Sequence, residues 1–282
     1  MLFNPVHTAL SQQASARKAS VETTNLIGHW DPNDSDSYGG SGTTYNNLVT
    51  SKEDLKIYGA TFAGNQVTDP YHFAFDGTND KISDIDVTDP YNDNFEIRSH
   101  YSWAISMWVK FDNFTNTNKL WAVGEDGDAL RCTMQSGDDP HALNSKATPA
   151  VWCAEIQTIP PALSAGEWYM ITWRHTPLVA TTASRIDIFY DGVLQDCLHY
   201  DTSEDIENNW TRTWGVLSNN STMDLDIGWW EYGDGEYVTS ATKIGAILVY
   251  EAADICLPNS AVWSNYLATK GGVGSGGPWS YK

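Results

Sequence analysis

Cysteine is scarce in this 282-residue chain. Cys132, Cys153, Cys197 and Cys256 lie far apart with no C-x-x-C spacing, which excludes the usual zinc frameworks and a dense disulfide scaffold. Buried free thiols are the plain reading, and Cys132–Cys153, flanking one loop, is the pair to test first for a disulfide. Basic residues are also few: 16 Lys and Arg stand against 36 Asp and Glu, a formal charge of −20. DNA, RNA and anionic lipid each demand clustered Lys/Arg, so nucleic acid is not expected as a partner. No apolar run approaches 18 residues, and neither a membrane-spanning helix nor membrane insertion is expected. The N-terminus has no basic start followed by an apolar core, so the expectation is a mature chain that starts here or leaves the cell by another route, such as lysis. Gly-x-Ser-x-Gly, His-Glu-x-x-His and Walker-type loops are all missing, and the seven histidines are scattered. Lone histidines such as His175 read as hydrogen-bonded structural residues. The acidity leaves open calcium, neutral sugars or a soluble particle surface, and with no long Asp/Glu run it is spread over loops.

What is present is a pattern of strands. In Tyr101–Phe111 (YSWAISMWVKF) the residues Tyr101, Trp103, Ile105, Met107, Val109 and Phe111 share one face at period two. Ser102, Ala104, Ser106, Trp108 and Lys110 share the other. Aromatic and β-branched types favour a pleated, half-buried surface, and eleven residues at about 3.3 Å each make a strand of about 35 Å. It reads as the central strand of a sandwich, with Trp108 on the second face left open. Asn25–Asp31 reads as a strand with Leu26, Gly28 and Trp30 on one face. Further strands are expected at 72–76, 81–83, 119–124, 129–134, 150–156, 168–175, 185–191, 213–217, 224–229 and 243–250. Asp191-Gly192 after Tyr190 suits a two-residue hairpin turn with positive φ. The one convincing helix is Ala261–Ala268, after Pro258-Asn259-Ser260, with Val262/Tyr266 and Trp263/Leu267 at i, i+4.

These elements predict an all-β fold: a two-sheet antiparallel β-sandwich with one short C-terminal helix. All-β domains often reach 200–250 residues, and no linker strong enough to split the chain is visible. The expected division is an N-terminal arm at 1–25, a sandwich at 26–270 and a glycine-rich tail at 271–282. The arm is polar, rich in Ala and Ser, and without strand alternation, so it cannot bury enough apolar surface to order itself. A neighbouring subunit is the simple candidate for holding it down.

The strand patterns come in a particular order. Phe75-Asp76-Gly77-Thr78-Asn79-Asp80 precedes Tyr101–Val109, then Gly166-Glu167-Trp168 through Trp173, then Ile188-Phe189-Tyr190-Asp191-Gly192, then Lys243–Tyr250. That order resembles the concanavalin A-like, laminin G-type sandwich, a jelly roll, over about Asn25 to Lys270. The lead-in, Asn25-Leu26-Ile27, Ser37-Tyr38, Gly42-Thr43-Thr44-Tyr45 and Asn47-Leu48, is similar to versions in structural proteins of phages and other aquatic viruses. The resemblance implies a function among sugar binding, protein adhesion, virion decoration and glycan cleavage, and does not choose between them.

Two sets of residues carry candidate chemistry. Asp76, Asn79 and Asp80 place three oxygen-bearing side chains around the Gly77 turn, which suits a hard cation such as Ca²⁺, and the family resemblance implies calcium near such turns. The alternative is that Asp76 and Asn79 supply turn hydrogen bonds to the local backbone. Glu125-Asp126-Gly127-Asp128 is oxygen-rich but lacks the remaining spacing of an EF-hand loop. Thirteen tryptophans are many for this length. Exposed indoles stack on the apolar face of a pyranose while carboxylates and amides bond its hydroxyls. Trp229, Trp230, Tyr232 and Asp234 offer that mixture in a short loop, and Trp210 and Trp214 flank Thr211-Arg212 similarly; core or inter-subunit packing is the alternative for most of the tryptophans.

Glycosidases on the resembled fold carry Glu-x-Asp-x-x-Glu, which sets carboxylates on one face of a strand. No Glu in this chain is followed two residues later by Asp. The nearest pairs, Glu204/Glu207 and Asp224/Asp226, do not fit, and the expectation is not an enzyme. The reading is a virion structural protein in multiple copies, contacting other virion subunits through its arm and reaching host-surface glycans. The alternative is an extracellular lectin.

Overall fold

The computed structural model describes residues 20–50, 52–65, 69–84, 101–113, 118–123, 130–134, 142–147, 151–152, 156–158, 163–179, 183–195, 197–199, 205–206, 225–230, 236–237, 242–254 and 256–270. Along these the chain forms β1 (Leu26–Trp30), β2 (Thr44–Tyr45), β3 (Leu55–Tyr58), β4 (Thr61–Ala63), β5 (His72–Phe75), β6 (Lys81–Asp84) and β7 (Ser102–Phe111). Next come β8 (Asn118–Val123), β9 (Leu130–Met134), β10 (Ala142–Ala147), β11 (Val151–Trp152), β12 (Ile156–Thr158), β13 (Trp168–Val179) and β14 (Ala183–Tyr190). The last are β15 (Val193–Leu194), β16 (Cys197–His199), β17 (Asp205–Ile206), β18 (Leu225–Ile227), β19 (Trp229–Trp230), β20 (Glu236–Tyr237), β21 (Thr242–Ala252) and the helix α1 (Asn259–Thr269). The strand expected at 213–217 and Cys153 lie outside the described residues.

Two eight-stranded antiparallel sheets make a β-sandwich. The first runs β15-β14-β13-β7-β21-β5-β4, with β1 also paired to β21; the second runs β11-β10-β9-β8-β18-β6-β3-β2. β7 sits at the centre of the first sheet, matched to β13 from Trp168↔Lys110 to His175↔Trp103 and to β21 from Thr242↔Phe111 to Ala252↔Ser102. A register shift between Ile244 and Ile247 splits the far edge of β21. Its first part takes β5 and its second takes β1.

Period-two alternation along β7 decides both cores. Trp103, Ile105, Met107, Val109 and Phe111 point between the sheets and meet Leu55, Ile57, Ile82, Leu120, Trp121, Leu225 and Ile227. Trp103, Trp121 and Trp173 form an edge-to-face series, with centroids 5.8 and 5.7 Å apart. Each buried indole removes about 150–250 Å² from water, roughly 4–6 kcal/mol of transfer free energy before ordering entropy is subtracted. The opposite face of β7 is buried as well. Ala104 and Trp108 join Trp168, Met170, Phe189, Leu248 and Tyr250 beneath α1, where Val262 and Tyr266 close the cover. This settles the open question about Trp108: its ring stacks on Tyr266 at 5.9 Å and its Nε1–H donates to Thr269 Oγ1 at 2.8 Å.

The expected shared face of Leu26, Gly28 and Trp30 does not hold. A register shift between Leu26 and Gly28 turns the strand, so Leu26 packs in the outer cluster and Trp30 in the inner one. Residues at the end of the expected arm belong to the outer layer. Val21 packs there, the Glu22 amide donates to Asn265 Oδ1 at 2.8 Å, and Tyr250 Oη–H donates to the Glu22 carbonyl at 2.9 Å. Arg174 of β13 fastens the start of α1. Its Nη1 donates to the Leu257 carbonyl and to Asn259 Oδ1, both at 2.8 Å, while Nε and Nη2 hold Asp187.

Candidate functional site

The Gly77 turn joins β5 to β6, and Gly77 adopts φ 84°, the left-handed conformation that glycine takes without penalty. Asp76 Oδ1 accepts the Thr78 amide at 2.8 Å, and Asp80 Oδ2 accepts the Asp76 amide at 2.6 Å. Asp76 and Asn79 are exposed, whereas Asp80 is buried. Burial raises the Asp80 pKa, the Asp76 amide pulls it down, and the charge of Asp76 raises it again. The turn therefore brings two carboxylates together, with one oxygen of each committed to the main chain. A Ca²⁺ ion takes six to eight oxygens, so carbonyls and water would supply the remainder. Among the described residues, no group of three or more His, Cys, Asp and Glu converges as a metal site.

Trp229 and Trp230 lie in a strand rather than in a loop. They form β19, which leaves β18 through Gly228 and pairs with β20. The register sets Trp229 opposite Tyr237 and Trp230 opposite Glu236. Gly228 explains the departure point. At φ 78° it lies so close to the Phe75 ring that an added Cβ would sit 2.4 Å from it, and its amide donates to the Leu120 carbonyl at 3.0 Å. Tyr232 and Asp234 lie outside the described residues, as do Trp210 and Trp214.

A third group, missed in the sequence, occupies the outer face of the first sheet. Register places Lys110 of β7 between Trp168 of β13 and Lys243 of β21. Asp69 accepts the Trp168 Nε1–H at 3.2 Å and pairs with Lys110 at 3.9 Å, and Asp112 pairs with Lys243 at 3.6 Å. His72 donates from Nδ1 to the Pro70 carbonyl at 2.7 Å, and burial lowers its pKa. The result is a ledge with ammonium donors and carboxylate acceptors side by side. Partly exposed pairs at these distances contribute about 1 kcal/mol each, little enough for an incoming hydroxyl or carboxylate to exchange with them. Lys110 was visible as a polar residue on the second face of its strand. Its neighbours Trp168 and Lys243 come from strands far away in sequence, and Asp69 from the loop before β5, so only the folded pairing brings them together.

No family model matches the chain, and no curated protein matches it. Solved structures do. Trypanosoma rangeli sialidase in complex with the inhibitor DANA is similar over 90% of this chain and 34% of its own, at 15% identity and a TM-score of 0.54. Domain 4 of AbnA, a GH43 extracellular arabinanase from Geobacillus stearothermophilus solved with arabinotriose, is covered over 100% of its length and 87% of this chain, at 17% identity and a TM-score of 0.50. The binding domain of botulinum neurotoxin DC, in complex with rat synaptotagmin II, is similar over 86% of this chain and 51% of its own, at 10% identity and a TM-score of 0.55. What they share with this chain is a fold. The chain spans a third of the sialidase and half of the neurotoxin domain, and these likenesses bear on the sandwich, with no matched residue carrying a role across.

Proposed function

We propose that this chain is a carbohydrate-recognition module on a concanavalin A-like sandwich, with no catalytic role of its own. The observation that carries the reading is the likeness to the arabinanase domain. That domain was solved with arabinotriose, and the similarity takes in all of it and 87% of this chain. The chain's own residues are consistent with it: 13 tryptophans, the Trp229-Trp230 ribbon, and a ledge of interleaved donors and acceptors. The missing Glu-x-Asp-x-x-Glu pattern argues against cleavage. The virion setting is carried by the lead-in resemblance alone. Under it the same module would be displayed in many copies, held by other virion subunits, and would meet host-surface glycans. Under the alternative it acts as an extracellular lectin.

A glycan array probed with the full chain, with and without EDTA, tests the proposal. The expected outcome is binding to a defined set of sugars that Trp229→Ala and Trp230→Ala weaken at least tenfold. EDTA sensitivity that Asp76→Asn reproduces would assign the Gly77 turn a calcium ion. An array on which the folded chain binds no glycan would sink the reading.

A further inference from the structure

On the outside of the sandwich, α1 runs eleven residues without a single charge, NSAVWSNYLAT. Charged residues make up 18% of the chain, so a helix of this length would ordinarily carry about two. A helix side facing water is normally its charged side. Here the outward residues are Asn259, Ser260 and Trp263, with Ser264, Leu267 and Ala268 half-buried. The large apolar side chain that stands out here is Trp263, 44% exposed. The Asp191-Gly192 turn packs against this indole from the side. A Cβ on Gly192 would lie 2.7 Å from Trp263 Cε3 and 3.0 Å from its Cα.

We infer that Trp263 is a stacking platform for a neutral sugar, separate from the Trp229-Trp230 ribbon. Three observations support that occupant. First, the indole is fixed before anything binds: Tyr266 packs on it at 5.3 Å and Gly192 closes in from the side, so little rotamer entropy is lost on association. Second, the patch suits one pyranose. One indole with a rim of Asn259, Ser260 and Ser264 matches an apolar sugar face edged by hydroxyls, whereas a stable protein interface buries about 800 Å² per partner. Third, the charges at its margin are already engaged. Lys270 lies over the Tyr266 ring at 4.9 Å, and Arg174 is turned inward to Asp187. Among the described residues, the charges at this face are already paired or stacked, which suits an uncharged ligand better than an ion.

The inference rests on the carbohydrate-binding reading above, and its test separates the two. The unsubstituted chain, Trp263→Ala, Trp263→Tyr and the Trp229→Ala/Trp230→Ala pair with and without Trp263→Ala are compared on immobilised neutral arabino-, galacto-, gluco- and manno-oligosaccharides, with and without excess EDTA. Circular dichroism confirms that each variant is folded. We expect Trp263→Ala to weaken binding at least tenfold in both backgrounds, Trp263→Tyr to restore part of it, and EDTA to leave this contribution intact. Binding by the unsubstituted chain that Trp263→Ala leaves unchanged in both backgrounds overturns the inference and spares the function. Absence of binding by the unsubstituted chain defeats both. Sedimentation that shows a dimer converted to monomer by Trp263→Ala would make the patch a self-interface, and would also overturn the inference.

Discussion

Asp80 is held under the Gly77 turn by the Asp76 amide on one side and by the close approach of Gly59 on the other. A Cβ on Gly59 would stand 2.2 Å from Asp80 Oδ1, and Gly59 has φ +75°, so Gly59→Ala should destabilise through both contact and strain. Because burial raises the Asp80 pKa, its charged form is the disfavoured one in the fold. Asp80→Asn keeps an oxygen for the Asp76 amide and removes that charge. Without calcium, its Tm should equal or exceed that of the parent at pH 7; if the turn binds calcium, added Ca²⁺ should raise the parent's Tm and leave the variant unmoved. Differential scanning calorimetry in EDTA and in calcium reads both. His175 has the opposite sign. Burial lowers its pKa to about 4 while its Nδ1–H donates to the Tyr101 carbonyl and its ring stacks on Trp103, and His29 is lowered to about 4 as well. Unfolded histidine binds its proton near pH 6.5, so between about 6.5 and 4 the unfolded state holds more protons and stability falls as the pH drops. Urea midpoints across that window should decline more shallowly in His175→Asn, once its loss at pH 7 is subtracted; an unchanged slope would contradict the assignment. None of these environments was readable in the sequence. His175 was expected as a structural residue, but the indole it rests against is seventy-two positions away.

At the scale of elements, the start of the helix is fastened to the sheet through an arginine held in a buried ion pair. Arg174 and Asp187 face each other across β13 and β14, with side chains 9% and 4% exposed, and Arg174 also carries Leu257 and Asn259. Removing one partner strands the other's charge. Arg174→Ala should cost about 3–5 kcal/mol in urea unfolding, whereas Arg174→Met with Asp187→Leu should recover most of it. Equal losses in the single and double variants would show that packing, not stranded charge, sets the effect. Alternation made most long strands legible: β7, β13, β14 and β21 fall where the apolar periodicity put them, and Asp191-Gly192 forms its hairpin with both residues at positive φ. Of the strands that escaped notice, β10 has six residues, but β2, β3, β4 and β20 are two to four residues long. So short a run carries too little pattern to stand out from a loop, and it is fixed by its neighbour's hydrogen bonds. The second face of β7 stays open in the sequence because nothing there shows what covers it; in the fold its polar residues are buried and paired, Ser106 with Thr172 at 2.7 Å and Ser102 with the His175 carbonyl at 2.9 Å.

For the whole molecule, the sequence disclosed the architecture better than the sites. A sandwich is the collective answer to many period-two strands, so errors in single strands leave it standing. A binding surface depends on which residues from distant strands become neighbours, and the ledge of Lys110, Lys243, Asp69 and Asp112 exists only after pairing. One feature of that pairing governs when the molecule can exist. β1 lies against β21, with Leu26 matched to Tyr250, and β5 and β7 also take their edges from the same late strand. At ~5–20 residues per second, β1 waits roughly ten to forty seconds on the ribosome before its partner is made. Until Thr242–Ala252 emerges, the first sheet is a set of unclosed edges, the condition in which strands of different chains pair with one another. A ribosome that stops early releases a product that cannot finish itself, and synthesis of this protein is thus a race between its last strand and its neighbours.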